Sequence, residues 1–222
     1  SGTGSRIRLD YLNPGGATSG KLLPSDKAMD VLDVPGVGKV EASLVDASNA
    51  VVFVAATRFG KTATESVADL EADKKFMADL DAVRRTAAVV MGLAETPETA
   101  MLGNPKIGIV GKAAASSTLA GTQIAAEDTD LCARILSMEQ VHRVLPLTGA
   151  MCLGVACRIP GSVPNMICRE QPGDLRLSNP SGVIPVDAKV TVESDGTVVV
   201  NSCTVYRTAR PLMMGQVLVP GG

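Results

Sequence analysis

One run constrains this fold more than any other: His142 to Gly161, HRVLPLTGAMCLGVACRIPG. A short polar knot, Thr148-Gly149-Ala150, leads into a segment that is apolar on every side. A helix apolar all round is buried. A buried helix start needs partners for its free N–H groups. Those groups, with the dipole behind them, form a receptor for an anion. Spacing alone leaves two readings open. Either the first N–H groups meet protein or water in an ordinary core helix, which is the commoner arrangement, or they hold a negatively charged ligand.

The 222 residues are enough for one large or two small domains with a sizeable core. Aromatics are scarce, with no Trp, two Tyr and three Phe, so the core must be Val, Leu, Ile, Ala and Met. That scarcity and a net charge of −2 argue against nucleic-acid binding, which uses stacking platforms and basic tracks. No apolar run reaches bilayer-spanning length, so no transmembrane helix and no membrane partner are expected. The opening residues carry neither an apolar stretch nor a charged leader pattern. Cys132, Cys152, Cys157, Cys168 and Cys203 form no C-x-x-C pair and share the chain with a single His. No metal site is expected, and reduced thiols in a cytoplasmic protein are the expected state.

Along the chain, Ile7, Leu9 and Tyr11 alternate with charged residues as in a half-buried strand, ended by Asn13-Pro14-Gly15-Gly16. Asp30–Val34, Val40–Leu44 and Val51–Val54 read as further strands, with Ser48-Asn49 a break between the last two. Val67 to Leu93 reads as one amphipathic helix, covering one side of a sheet. Ile107–Val110 reads as a strand, and Lys112–Gly121 as a mobile polar loop. Leu131–Met138 opens with helix-like charges yet alternates like a strand. Val183–Val192 and Thr197–Tyr206 make a hairpin around Asp195-Gly196, and Gln216–Val219 reads as one last strand. No repeat or linker stands out, and the pattern predicts an α+β fold on a mixed or antiparallel sheet.

Among familiar motifs, no G-x-G-x-x-G, Walker or G-x-S-x-G pattern occurs. His142 has no local nucleophile beside it, and a lone His next to apolar residues is more often structural than catalytic. Arg207 and Arg210 have the forks to clamp a carboxylate, but a solvated strand edge or an inter-strand ion pair suits them better. A turn-forming Asn is the ordinary role for Asn49.

The segments LDYLNPGGATSGKLLPS, LDVPGVGKVEASLVDASNAVVFV, DAVRRTAAVVMGLA, LSMEQVHRVLPLTGAMCLGVACRIPGSV, LSNPSGVIPV and YRTARPLMMGQVLVP, in this order, resemble the PrpF family. That family includes 2-methylaconitate cis–trans isomerases, 4-oxalomesaconate tautomerases and methylitaconate Δ-isomerases. The resemblance implies the diaminopimelate epimerase-like fold, two lobes each built as a sheet around a central helix, with the active site between them. It also implies a cofactor-independent isomerase. The family's RGGTSK-like lysine segment and PNCGN-like cysteine segment, its proposed proton-transfer groups, do not occur in this sequence. The chain therefore resembles a second lobe over 1–205, with 206–222 a return segment that completes a first lobe. Its catalytic residues stay unassigned.

Family chemistry removes a proton beside a carboxylate and returns it elsewhere through a dienolate. N–H donors at a helix end stabilise that charge. Thr148-Gly149-Ala150 matches the family's TGA. Asn49 matches the Asn of an A-N-P segment in which Ala50 replaces Pro, and His142 matches a His ahead of TGA. The resemblance thus implies substrate-binding roles for Asn49, His142, Thr148, Gly149 and Ala150. Gly149 is expected to let the backbone approach an anion. The expected partners are a small polycarboxylate, a missing lobe or homologous partner surface, and a second copy of the chain. The competing reading is a non-catalytic lobe that binds a polycarboxylate or a protein. Three structural expectations follow. Ala150–Ile159 is a helix buried on all faces inside a curved sheet, Leu131–Met138 is a strand, and Leu212, Met213, Met214 and Val217 lack cover in this chain alone.

Overall fold

The computed structural model describes residues 4–216. In chain order its elements are β1 (Arg6–Leu12), β2 (Asp30–Val34), β3 (Gly38–Asp46), β4 (Ala50–Ala55), α1 (Val67–Ala72) and α2 (Lys74–Val90). There follow β5 (Lys106–Lys112), β6 (Ser116–Ser117), β7 (Gln123–Ile124), β8 (Leu131–Ser137), β9 (Gln140–Val141) and α3 (Leu147–Arg158). The last are α4 (Val163–Ile167), β10 (Leu175–Asn179), β11 (Gly182–Val192) and β12 (Val198–Thr208). One mixed sheet runs β1-β12-β11-β10-β8-β5-β4-β3-β2, with β9 appended to β8. Only the β4–β5 and β8–β10 pairs are parallel. This is the α+β lobe that the resemblance implies.

The sheet serves two cores, and strand periodicity explains how. Val51 and Phe53 of β4 join the core around α3, while Val52 and Val54 face α2. Leu131, Ala133 and Ile135 of β8 likewise join α3, while Cys132 and Leu136 face α2. Leu131–Ser137 is therefore a strand, as expected. Of the acidic residues before it, Glu127 and Asp128 sit in a short 3-10 turn instead of an α-helix.

Residues from β3, β4, β5, β8, β10, β11 and β12 all pack in the α3 core, so the sheet curls around that helix. Every residue from Gly149 to Cys157 is buried, which bears out the expected burial on all faces up to Cys157; the helix ends at the half-buried Arg158, with Ile159 as its C-cap. Gly154 permits the closest approach. A Cβ there would lie 2.5 Å from Val186 Cγ1 on β11.

Several expectations need correction. The helix expected over Val67 to Leu93 is two helices, broken at Asp73. Asp73 leaves helical geometry, accepts from the Phe76 N–H at 3.0 Å and pairs with Lys61 at 2.7 Å, so it caps a new helix. β1 exists, but it is an edge strand paired only with β12, and Ile7 and Tyr11 are exposed rather than half-buried. Part of Lys112–Gly121 is ordered: Ser116–Ser117 pairs with Gln123–Ile124. β12 itself runs to Thr208. Beyond it the chain has no regular structure up to Gln216, and Leu212, Met213 and Met214 are 83%, 91% and 97% exposed, as expected. Val217 and the rest of the strand expected over Gln216–Val219 lie outside the described residues.

Candidate functional site

The β3–β4 hairpin turns at Ala47-Ser48-Asn49, with Ser48 at φ 64°. The Pro14–Gly20 loop clamps this hairpin. Ser48 N–H donates to Pro14 C=O at 2.7 Å, and Gly16 N–H to Asp46 C=O at 2.7 Å. The buried Asp46 carboxylate accepts from the Thr18 N–H at 2.8 Å and from the Ser19 hydroxyl at 2.9 Å. So held, Asn49 Nδ2 donates to Thr148 Oγ1 at 3.3 Å, across 99 residues of sequence. The structure thus brings together two of the residues singled out in the sequence.

Helix α3 begins at Leu147, three residues before the expected start at Ala150. Pro146 is its N-cap, and no side chain caps it. The Ala150 N–H donates to Pro146 C=O at 2.8 Å, so Ala150 cannot also donate to an anion. That corrects the role expected for Ala150. The unspent donors are one residue earlier: among the described residues the N–H groups of Leu147, Thr148 and Gly149 meet no protein acceptor. Gly149 needs correction too. It is buried, and a Cβ on it would lie 2.9 Å from Ile135 Cδ1. Its missing side chain lets the helix approach β8, not a ligand.

His142 lies just beyond β9. Its N–H donates to Ile135 C=O at 2.9 Å, so it shares Ile135 with the start of α3. Its Nε2 is buried and has no hydrogen-bond partner, and it makes no bond to Asn49 or Thr148. Burial lowers its pKa below 6.5, and the nearby charge of Lys106 lowers it further. His142 is therefore neutral at pH 7. The sequence reading missed Lys106. The signal was its place two residues before Gly108 in the alternating strand Ile107–Val110, on the face that Gly108 and Val110 turn to α3.

Arg207 and Arg210 are exposed and make no ion pair among the described residues; Arg207 is at the solvated end of strand β12, and Arg210 lies beyond it. A groove of about 660 Å³ lies on the other side of the sheet, between α1, α2 and the β8–β9 turn. Glu71, Lys74, Asp81 and Arg84 line it, but Asn49, Lys106 and Thr148 do not. Its charges are mixed and Asp81 is already paired with Arg84 at 2.7 Å, so it offers no defined ionic ligand site.

A half-buried helix end with open donors and an Asn amide bonded beside it, with a neutral imidazole and a lysine near each other on the adjoining strands, offers groups suited to anionic oxygen. The family model described as PrpF protein matches residues 1–220. The chain belongs to the PrpF family. It is 32% identical over 222 residues to the 2-methyl-aconitate isomerase of Shewanella oneidensis, covering 97% of this chain and 56% of that protein. It is 32% identical over 225 residues to the 3-methylitaconate isomerase of Eubacterium barkeri, covering 98% of this chain and 57% of that one. A crystal structure of a methylitaconate-delta-isomerase superposes with a TM-score of 0.89 at 31% identity, over 97% of this chain and 56% of the other. The PrpF fold is therefore shared, and the chain spans little more than half the length of the relatives it matches.

Proposed function

We propose that this chain forms one half of the active-site cleft of a cofactor-independent isomerase. Its substrates are unsaturated di- or tricarboxylates of the methylaconitate kind, rearranged by a cis–trans or 1,3-allylic proton shift. The observation that carries this reading is the Asn49–Thr148 contact at the open amino end of the buried helix α3. The names of the isomerases that it resembles over nearly its whole length support the reaction class.

In this reading residues 1–205 are the second lobe and 206–222 a return segment. A complementary lobe supplies the proton-transfer groups and covers Leu212–Met214. The N–H groups of Leu147, Thr148 and Gly149 hold a carboxylate and stabilise the charge that spreads onto it as the neighbouring carbon loses its proton. The Asn49 amide, oriented by Thr148, donates to a second carboxylate. His142, kept neutral, accepts or donates one hydrogen bond without adding charge. The five free thiols support a cytoplasmic setting.

The second reading is a lobe that binds a polycarboxylate or a protein partner without turnover. One experiment addresses both. Trans-aconitate is titrated into the chain while the Leu147–Gly149 amides and the Asn49 side chain are followed by NMR, and isomerisation of methylaconitate is assayed. The expected result is moved amides with negligible turnover by the chain alone, and turnover once a complementary lobe is present. Unmoved amides would remove the binding claim. Rapid turnover by the chain alone would show that the proton-transfer groups lie within it, with His142 the first to replace.

A further inference from the structure

Lys106 is the first residue of β5, and its position follows from register. It lies opposite Val51 of β4, a member of the α3 core, and Asn49 precedes Val51 by two residues on the same hairpin. On its other side, one step beyond the Ile107–Leu136 pair, comes Ser137 at the end of β8. Lys106 thus stands between the Asn49 hairpin and the β8–β9 turn that leads to His142, on the sheet face that α3 covers. Its ammonium is partly buried, and no carboxylate pairs with it among the described residues. Burial is the sole cause that lowers its pKa. The charge that it presses on His142 is likewise uncompensated. A desolvated cation held without a counter-ion, near a neutral imidazole and the positive end of a helix, is costly. An anion in the cleft removes that cost.

We propose that Lys106 is the counter-ion for a second carboxylate of the bound polycarboxylate, and so makes this half-site select di- and tricarboxylates over monocarboxylates. The proposal rests on the half-site reading above and adds a residue that neither motif nor family pattern assigned. The N–H groups of α3 take one carboxylate. Lys106, across the face from them, takes another, with Asn49 between the two.

The test uses the 222-residue chain, with trans-aconitate and crotonate as probes, in NMR titrations of the unsubstituted chain, Lys106→Met and Lys106→Arg. Loss of a charge-assisted contact weakens trans-aconitate binding by about 10-fold or more in Lys106→Met. Lys106→Arg, which keeps the charge, stays within about 3-fold. Crotonate, with one carboxylate, binds all three alike. In the unsubstituted chain the Lys106 Cε resonance moves with trans-aconitate but not with sodium chloride at equal ionic strength, a readout that survives even if Lys106→Met does not fold. If trans-aconitate moves the α3 amides equally in the unsubstituted chain and Lys106→Met, or leaves Cε unmoved, the Lys106 assignment is overturned and the half-site stands. If it moves no amide in the unsubstituted chain, both fall.

Discussion

Substituting Gly154 by Ala tests whether α3 is seated as tightly as the structure shows. The added Cβ would lie 2.5 Å from Val186 Cγ1 and 3.4 Å from Val186 Cβ. Val186 is fully buried, and a β-branched side chain has few rotamers with which to turn away. Overpacking of this kind costs about 1–3 kcal/mol, and so close an approach puts it in the upper half of that range. Replacing Gly by Ala within a helix returns roughly 1 kcal/mol. The net expectation is a loss of about 1–2 kcal/mol, or a melting temperature roughly 2–8 °C lower for a chain of this size. Val186→Ala alone removes two methyl groups and should cost about 2 kcal/mol. If the clash is the cause, the double variant is more stable than the two single losses predict, with a coupling of about 1–2 kcal/mol. Urea unfolding followed by circular dichroism gives all four corners of the cycle. A Gly154→Ala chain as stable as the parent, or a cycle with no coupling, would refute the packing argument. Helix propensity would then be the larger effect.

Other outcomes follow from the same structure. Stability should fall as pH drops below about 4, because Asp81 and Glu65 have folded pKa values lowered from 3.8 and 4.5. Burial raises both, but Arg85 and Arg84 outweigh it at Asp81, and backbone N–H groups and the Thr62 hydroxyl outweigh it at Glu65. A group lowered on folding stabilises above its unfolded pKa and loses that as pH falls, so a flat urea midpoint down to about pH 3 would contradict these pairings. His142 should titrate below 6.5 by NMR for the same sign reason, with its share of stability lost as pH falls below 6.5; a midpoint above that value would deny its burial beside Lys106. Cys168 should be the one thiol that labels in the native chain, since it is partly exposed and its sulfur is favoured as thiolate by a hydrogen bond from Cys157. Cys203, pushed up to about 12 by burial, should label only after unfolding. Thr148→Val should free the Asn49 amide and weaken trans-aconitate binding about 5-fold, a loss of about 1 kcal/mol; unchanged affinity would detach that pair from the site.

Strand positions were legible where both faces of a strand are buried. Leu131–Ser137 alternates because each face serves a different helix, and that requirement outweighs the acidic residues that precede it. β1 misled for the opposite reason: its alternation is real, but at the sheet edge only Leu9 reaches the α3 core, and Ile7 and Tyr11 on the same side stay exposed. The break at Asp73 was hidden because a helix surface and a helix cap both accept Asp, and only the bond to Phe76 N–H distinguishes them. β10 and α4 were missed. LRLSN is short, and Ser162-Val163-Pro164, although it has a capping Ser followed by Pro, lies next to a longer helix signal. At the site the Asn49–Thr148 contact was anticipated only through resemblance, since nothing local says that residues 99 apart will meet. Lys106 was passed over because a lysine before a strand reads as a solvated end. Only the sheet register turns it toward α3.

The polar knot identified the right end of the right helix, yet misplaced its open donors by one residue, and Pro146 is the reason. Proline has no N–H to offer but keeps its carbonyl. As N-cap, Pro146 directs that carbonyl to the Ala150 N–H at 2.8 Å, so the first intrahelical bond forms there. The three N–H groups before it, on Leu147, Thr148 and Gly149, are left open as the geometry of any helix start requires. Of these, Thr148 holds Asn49 through its hydroxyl, and Gly149 carries no side chain because Ile135 occupies the space one would need. The glycine that a ligand-centred reading assigns to the anion is therefore committed to the protein side. By fixing how close α3 lies to β8, it sets where the donors point. The anion site and the core are then one piece of packing, so a substitution at Gly149 would move the N–H groups together instead of removing one contact.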